Sequence, residues 1–178
     1  MADLGLIQVY TGNGKGKTTA SLGLAVRALG HGLNVCMIQF MKKNTEYGEC
    51  KASNMFPGFT LLQVGRNDFV DLENPEEIDK ELAQSGWETA KSIIKSGDYD
   101  MVILDEINVA IACRILDVNR IVHFLTNNRK KLVKIPEIIL TGRYAVPEII
   151  KIADIVTDMQ EIRHNYSMGI EARKGIEF

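Results

Sequence analysis

Apolar residues in this chain fall into two alternating arrangements. Short apolar-rich runs, LIQVY (6–10), VCMIQF (35–40), FTLLQVG (59–65), MVILDE (101–106) and EIILTG (137–142), read as strands. VCMIQF is almost continuous in apolar residues, as parallel strands buried on both faces tend to be. Between these runs the spacing changes to three or four. Leu22, Ala25, Val26 and Leu29 share one helical face, and Gly30 and Gly32 supply a stop. A second helix has Asn74 as its cap, Pro75 in the first turn and Glu77 at the capping-box position; Ile78, Leu82, Ala90, Ile93 and Ile94 line one face before Gly97. Asp117 caps a third, with Val118, Ile121, Val122 and Leu125 in helical register. Pro147 opens a short helix, and DIVTDMQEI (154–162) reads as a final edge strand. The stretch from Met41 to about Gly58, containing KKNTEYGEC, reads as a long irregular loop, of a length that in compact domains is usually functional or disordered. This alternation predicts an α/β fold, a mostly parallel central sheet with helices on both faces.

Composition narrows the setting. At 178 residues the chain is expected to form one domain, 1–178, large enough to bury roughly 70% of its unfolded surface. Cys36, Cys50 and Cys113 are scattered with no C-x-x-C pair, which argues against a zinc or redox motif and fits a reducing cytoplasm. With 21 basic and 23 acidic residues the net charge is -2, so no global positive field invites nucleic acid. The amino terminus lacks the basic region of a signal peptide, and no apolar run approaches the ~20 residues that span a membrane.

The chemistry concentrates in two places. TGNGKGKTT (11–19) follows the first strand and precedes the first helix, and it nearly spells G-x-x-x-x-G-K-[ST]. Thr11 stands where the first glycine belongs, and Gly12 comes one residue late. A loop in this position aims backbone N–H groups and a positive helix end at one point, which suits a polyphosphate. Lys17 adds a point charge, and the Thr18 hydroxyl can reach a Mg²⁺. The second place is DMVILDEIN (100–108), which sets Asp105 and Glu106 at the carboxyl end of a buried strand, where ligands gather in open α/β sheets. One carboxylate there can hold the metal or its water shell.

Other features are less specific. Thr141-Gly142-Arg143 closes the fifth strand, so Arg143 either points into the same crevice or is an exposed loop arginine. Arg27 either touches nucleotide or snorkels from an apolar helix. His31, His123 and His164 have no metal-like spacing, and Arg163, His164, Arg173 and Lys174 form a basic rim or a solvated edge.

Taken together, GNGKGKTT, MIQF with Lys42, VILDEIN, TGR and the tail ADIVTDMQEIRHNYSMGIEARKGIEF resemble the ATP:corrinoid adenosyltransferases of the P-loop type over essentially the whole chain. The most discriminating part is H-x-[YF]-x-x-G-[IV]-x-A-x-x-G-I-[DE]-[FY], from His164 to Phe178. The resemblance implies a three-layer, recombinase-like P-loop NTPase fold. It also implies transfer of the 5′-deoxyadenosyl group of ATP to the cobalt(I) of a reduced corrinoid, with inorganic triphosphate as the leaving group. The alternatives are a nucleoside or small-molecule kinase and a nucleotide-switched ATPase.

On this resemblance ATP is gripped by Gly12, Asn13, Gly14, Lys15, Gly16, Lys17, Thr18 and Thr19. Lys17 and Arg143 stabilise the departing phosphates, and Asn13 and Arg27 approach the nucleoside end. Thr18 and Glu106, with Asp105 beside them, hold Mg²⁺ or Mn²⁺. Phe69 matches the family's phenylalanine beneath the corrin, while Asp71 occupies its usual tryptophan position. Family likeness further implies a homodimer, an electron-donor reductase as a possible partner, and a cap over the site that is missing or supplied by the dimer partner.

Overall fold

The computed structural model describes residues 5–68, 70–128, 131–165 and 168–177. Six strands, β1 (Ile7–Thr11), β2 (Val35–Phe40), β3 (Phe59–Val64), β4 (Met101–Asp105), β5 (Glu137–Thr141) and β6 (Ile155–Asp158), form one sheet in the order β3-β2-β4-β5-β1-β6. Every neighbouring pair is parallel. The helices between them are α1 (Lys17–Gly30), α2 (Gly48–Ser53), α3 (Glu77–Ser96), α4 (Ile107–Ala112), α5 (Val118–His123) and α6 (Pro147–Ile152), with a π turn at Phe124–Asn128 continuing α5.

Alternation along the central strands divides the core into two layers. Val35, Met37, Met101, Ile103 and Ile139 face α1 and pack with Ala25 and Ala28. Cys36, Ile38, Phe40, Val102, Leu104, Ile138 and Leu140 face the other way, against Ala83, Trp87, Ala90 and Ile94 of α3 and residues of α4 and α5. All six residues of β2 are buried, because both faces of a parallel sheet are covered. Trp87 anchors the thicker layer, edge-on to Phe124 with ring centroids 5.5 Å apart.

Several local expectations need correction. Val26 is 49% exposed, since the buried stripe of α1 runs through Lys17, Ser21, Ala25 and Ala28. Helix α3 is capped by Glu76, not Asn74, and its capping box closes with Asp79, not Glu77; Ile78 consequently faces outward. The 41–58 stretch contains the short helix α2. Helix α4 was not expected: five of its six residues are buried, so INVAIA shows no polar face from which to read a helical period. The carboxyl strand is shorter than expected, ending at Asp158.

The topology sets up the site. Connections after β1 and β5, which are neighbours in the sheet, leave to opposite faces, through α1 and α6 respectively. This opens a crevice at the carboxyl edge. The carboxyl ends of β2, β4, β5 and β1 stand side by side there.

Candidate active site

Strand β1 ends at Thr11, whose carbonyl accepts from the Met159 amide at 2.9 Å. Immediately after it, Gly12 has φ 93, and a Cβ there would collide with Asp158 and with the backbone of Met159. The Gly14 amide donates to the Met159 carbonyl at 2.6 Å, and a Cβ at Gly14 would stand 2.6 Å from the carbonyl oxygens of Met159 and Gln160. The glycine loop is therefore clamped against the chain leaving β6. Lys17 opens α1 and folds back into the loop, its Nζ donating to the Gly12 and Gly14 carbonyls, both at 2.7 Å. Burial lowers the Lys17 pKa and nearby Arg143 lowers it further, against the pull of Glu106, Asp105 and Asp158. The two cations thus share one field, focused on the mouth of the loop.

Asp105 is the hub. Its carboxylate is fully buried and accepts four hydrogen bonds: Oδ1 from Thr141 Oγ1 at 2.6 Å and Thr18 Oγ1 at 2.9 Å, Oδ2 from Lys42 Nζ at 2.8 Å and Gln39 Nε2 at 3.1 Å. Burial alone would raise the Asp105 pKa; the Lys42 charge and these donors override it, and the carboxyl is held below its usual range. Burial likewise disfavours the Lys42 ammonium, and Asp105 overrides that too, so the Lys42 pKa is raised.

Glu106 is the opposite case. Its φ of 63 places it in the left-handed region, its amide donates to Thr141 Oγ1 at 3.1 Å, and its carboxylate has no hydrogen-bond partner among the described residues. Burial and then the Asp105 charge raise its pKa. Met41, Glu106 and Tyr144, all non-glycine residues with positive φ, follow the carboxyl ends of β2, β4 and β5 and line one cleft. Strain of this kind costs of order 1–3 kcal/mol per residue and gathers at functional sites.

These environments sort the candidate metal ligands. A carboxylate offers about four lone-pair sites. Those of Asp105 are all taken, one of them by Thr18 itself. Glu106, the next residue along the chain, has unused acceptors and lies within electrostatic reach of Lys17 in the phosphate loop. The pair Thr18 and Glu106 fits Mg²⁺, which binds through one or two protein oxygens plus substrate phosphates, and Asp105 fits an outer position that orients Thr18.

Two clefts meet here. One, of about 740 Å³, runs from Thr18 and Thr19 between α1 and α2, with Leu22, Val26, Phe56 and Ile176 among its walls. The other, of about 430 Å³, is lined by Arg66, Asp68, Val70, Glu106, Arg143 and Tyr144 among others. Lys42, Asn44 and Tyr47 line both and form their shared rim.

Of the residues singled out from sequence, Gly12, Gly14, Gly16, Lys17, Thr18, Asp105 and Glu106 converge, with Thr19 in the first cleft and Arg143 in the second. Lys15 points away to an ion pair with Glu177 at 2.8 Å. Asn13 lies with Thr11, Gly12 and Tyr144 along a third cleft beside β6. Arg27 is exposed near Tyr10 and lines none of the three. Phe69 falls outside the described residues; Asp68 and Val70 on either side of it line the second cleft. Asp71 accepts from the amides of Glu73 and Asn74, at 3.0 and 3.2 Å, and so shapes a turn. Sequence reasoning missed Gln39 as a partner of Asp105 and missed the Lys42 ion pair. A lone polar residue near the end of a buried strand was the available signal for Gln39.

The family model for ATP:corrinoid adenosyltransferase BtuR/CobO/CobP matches residues 3–178. The chain is 35% identical to a corrinoid adenosyltransferase of Sinorhizobium sp., covering 98% of this chain and 80% of that one. It is 34% identical to the Escherichia coli K12 corrinoid adenosyltransferase, covering 98% and 86%. Among solved structures, a KaiC-like protein, PH0186 from Pyrococcus horikoshii OT3, superposes with a TM-score of 0.53 at 18% identity, covering 88% of this chain and 74% of that one. That likeness shows the fold, a parallel sheet between layers of helices. The names of the sequence relatives disfavour the kinase and switch alternatives.

Proposed function

The chain belongs to the ATP:corrinoid adenosyltransferase family, and from that membership we propose how its own residues move the adenosyl group of ATP onto a corrinoid. Cobalt(I) of the corrinoid substrate attacks the ribose 5′ carbon. The cobalt–carbon bond forms as the carbon–oxygen bond breaks, and triphosphate leaves with the bonding electrons. Cobalt brings the electron pair, so no side-chain nucleophile is required, and the protein's task is positioning and charge.

The observation that carries this reading is the pair of clefts sharing the Lys42–Asn44–Tyr47 rim, one beginning at the phosphate loop and the other beside Glu106 and Arg143. Two substrates seated there meet over that shared rim. The nucleotide occupies the first cleft, and the second, too small to enclose a corrinoid, receives one face of it. Amides of the loop between Gly12 and Thr18, other than that of Gly14, which is held by Met159, grip the triphosphate, with Lys17 at the loop mouth. Arg143 adds positive charge where the leaving group's negative charge grows. Thr18 and Glu106 hold Mg²⁺, with Asp105 orienting Thr18. Mg²⁺, when bound, neutralises part of the charge on the departing phosphates. Arg27, being exposed, has a weaker claim on the nucleoside than Thr19.

The chain is read as one domain acting as a homodimer in the cytoplasm, supplied with electrons by a reductase. Three free thiols support the reducing compartment, and no helix among the described residues is long and apolar enough to cross a membrane. Anaerobic incubation with ATP, Mg²⁺ and reduced cobalamin tests the chemistry. The expected result is intact triphosphate by phosphorus NMR and a light-sensitive cobalt–carbon product; ADP with phosphate and no photolabile corrinoid overturns it.

A further inference from the structure

A row of side-chain amides crosses the top of the sheet behind Asp105. Gln39 is fully buried in β2, directly opposite Asp105 of β4 on one side and Gln63 of β3 on the other. Its Nε2 bridges two carboxylates, Asp105 Oδ2 at 3.1 Å and Glu49 Oε1 of α2 at 3.0 Å. Its Oε1 accepts from Gln63 Nε2 at 2.9 Å, and Gln63 Oε1 in turn accepts from the Asn44 amide at 2.8 Å. Burying an amide costs free energy unless each of its polar atoms is paired, and here the pairing runs without a gap from the shared rim of the clefts to the carboxylate that orients Thr18.

We propose that Gln39, oriented by Gln63, is a positioning residue for the metal end of the site: it fixes Asp105 Oδ2, so that Oδ1 stays aimed at the Thr18 hydroxyl, and it ties that aim to the Asn44 and Glu49 segment that walls the nucleotide cleft. The carboxylate is rigid, so a rotation that loses the Oδ2 donors also moves Oδ1 away from Thr18. Lys42 alone does not fix the rotation, because an ammonium is a point charge with rotatable donors, whereas an amide N–H held by two further partners has one direction. Gln39 touches neither substrate in this arrangement.

The inference rests on the reading that Thr18 and Glu106 hold Mg²⁺, and the test separates the two. Isothermal titration calorimetry, without corrinoid, compares the affinity for Mg·ATP with that for ATP in excess chelator. The wild-type protein is expected to prefer Mg·ATP; equal affinities overturn the metal reading itself. Gln39→Met keeps the length of the side chain and removes its polar atoms. Its preference for Mg·ATP is expected to fall about tenfold, the low end of what outer-shell partners contribute, with affinity for metal-free ATP nearly unchanged. A wild-type that prefers Mg·ATP with a Gln39→Met that keeps the same preference overturns the positioning role. So does an equal loss for both forms of ATP, which marks a merely structural residue. Should Gln39→Met fail to fold, Gln63→Met, which leaves both contacts of Gln39 Nε2 but frees its amide to turn over, is scored by the same ratio. A smaller selective loss supports the proposal, and an unchanged ratio overturns it.

Discussion

Replacing Lys42 with methionine isolates the electrostatic centre of the site. The variant leaves Asp105, wholly buried, without its counter-ion. Removing one member of a buried ion pair typically costs ~3–5 kcal/mol, because the survivor remains desolvated and uncompensated. Two features reduce that here: Thr18, Thr141 and Gln39 still donate to the carboxylate, and 23% of the Lys42 side chain is exposed. A loss of about 2–3 kcal/mol follows, or about 4–12 °C in Tm for a chain of this size. The pH dependence identifies the cause. The folded pKa of Asp105 is depressed below 3.8, so its contribution is present above that value and is lost as the pH falls through the folded pKa. The Lys42 pKa is raised above 10.5, so its contribution is present below that value and is lost as the pH rises through the folded pKa. Between those limits wild-type keeps its full advantage. In Lys42→Met, burial acts on Asp105 unopposed by the lysine and lifts its pKa, so mild acid neutralises the stranded carboxylate. The assay is thermal unfolding by circular dichroism at neutral and at mildly acidic pH. A Tm within about 2 °C of wild-type at neutral pH, or a deficit of equal size at both, refutes the argument.

Three further outcomes are expected. Lys17→Ala, which removes the cation at the loop mouth, lowers kcat for adenosyl transfer by roughly 10²–10³-fold, read from the rate of formation of photolabile corrinoid. Glu106→Gln raises Tm at neutral pH, because a carboxylate whose folded pKa is raised destabilises the fold once ionised; it also lowers kcat/KM by at least ~10-fold and flattens the acid limb of the pH profile, which in wild-type lies above 4.5. Gly14→Ala forces a Cβ against the Met159 and Gln160 carbonyls and costs ~1–3 kcal/mol by urea unfolding, with weakened ATP binding.

Legibility in the sequence followed burial. β2 was bounded to the residue, because a strand buried on both faces leaves an apolar run that the neighbouring polar turns cut cleanly. Helix α4 was invisible for the same reason reversed: an element buried on all sides has no polar face to reveal its period. Glu76 outcompeted Asn74 as the α3 cap because its side chain reaches the Asp79 amide while Asp79 answers to Glu76, and Arg66 holds both carboxylates. At the site, the loop and the Asp105-Glu106 pair could be found as motifs, but not their division of labour. That division depends on which carboxylate meets Thr141, Gln39 and Lys42: Asp105 is the last residue inside the sheet, and Glu106 has already left it with a φ of 63.

The late glycine of the loop has a similar origin. Where the usual pattern asks for glycine, Thr11 is still a strand residue: it stands opposite Asp158 of β6, its carbonyl accepts from Met159, and its hydroxyl accepts from the Ala145 amide at 3.2 Å. With β6 paired along β1 as far as Thr11, the backbone cannot turn until the next position. There the chain takes a φ of 93 and runs so near Asp158 and Met159 that no side chain fits. Gly12 is thus late because the strand is one residue longer. The turn that follows sets the Gly12 and Gly14 carbonyls on the Lys17 ammonium, which they hold at the loop mouth.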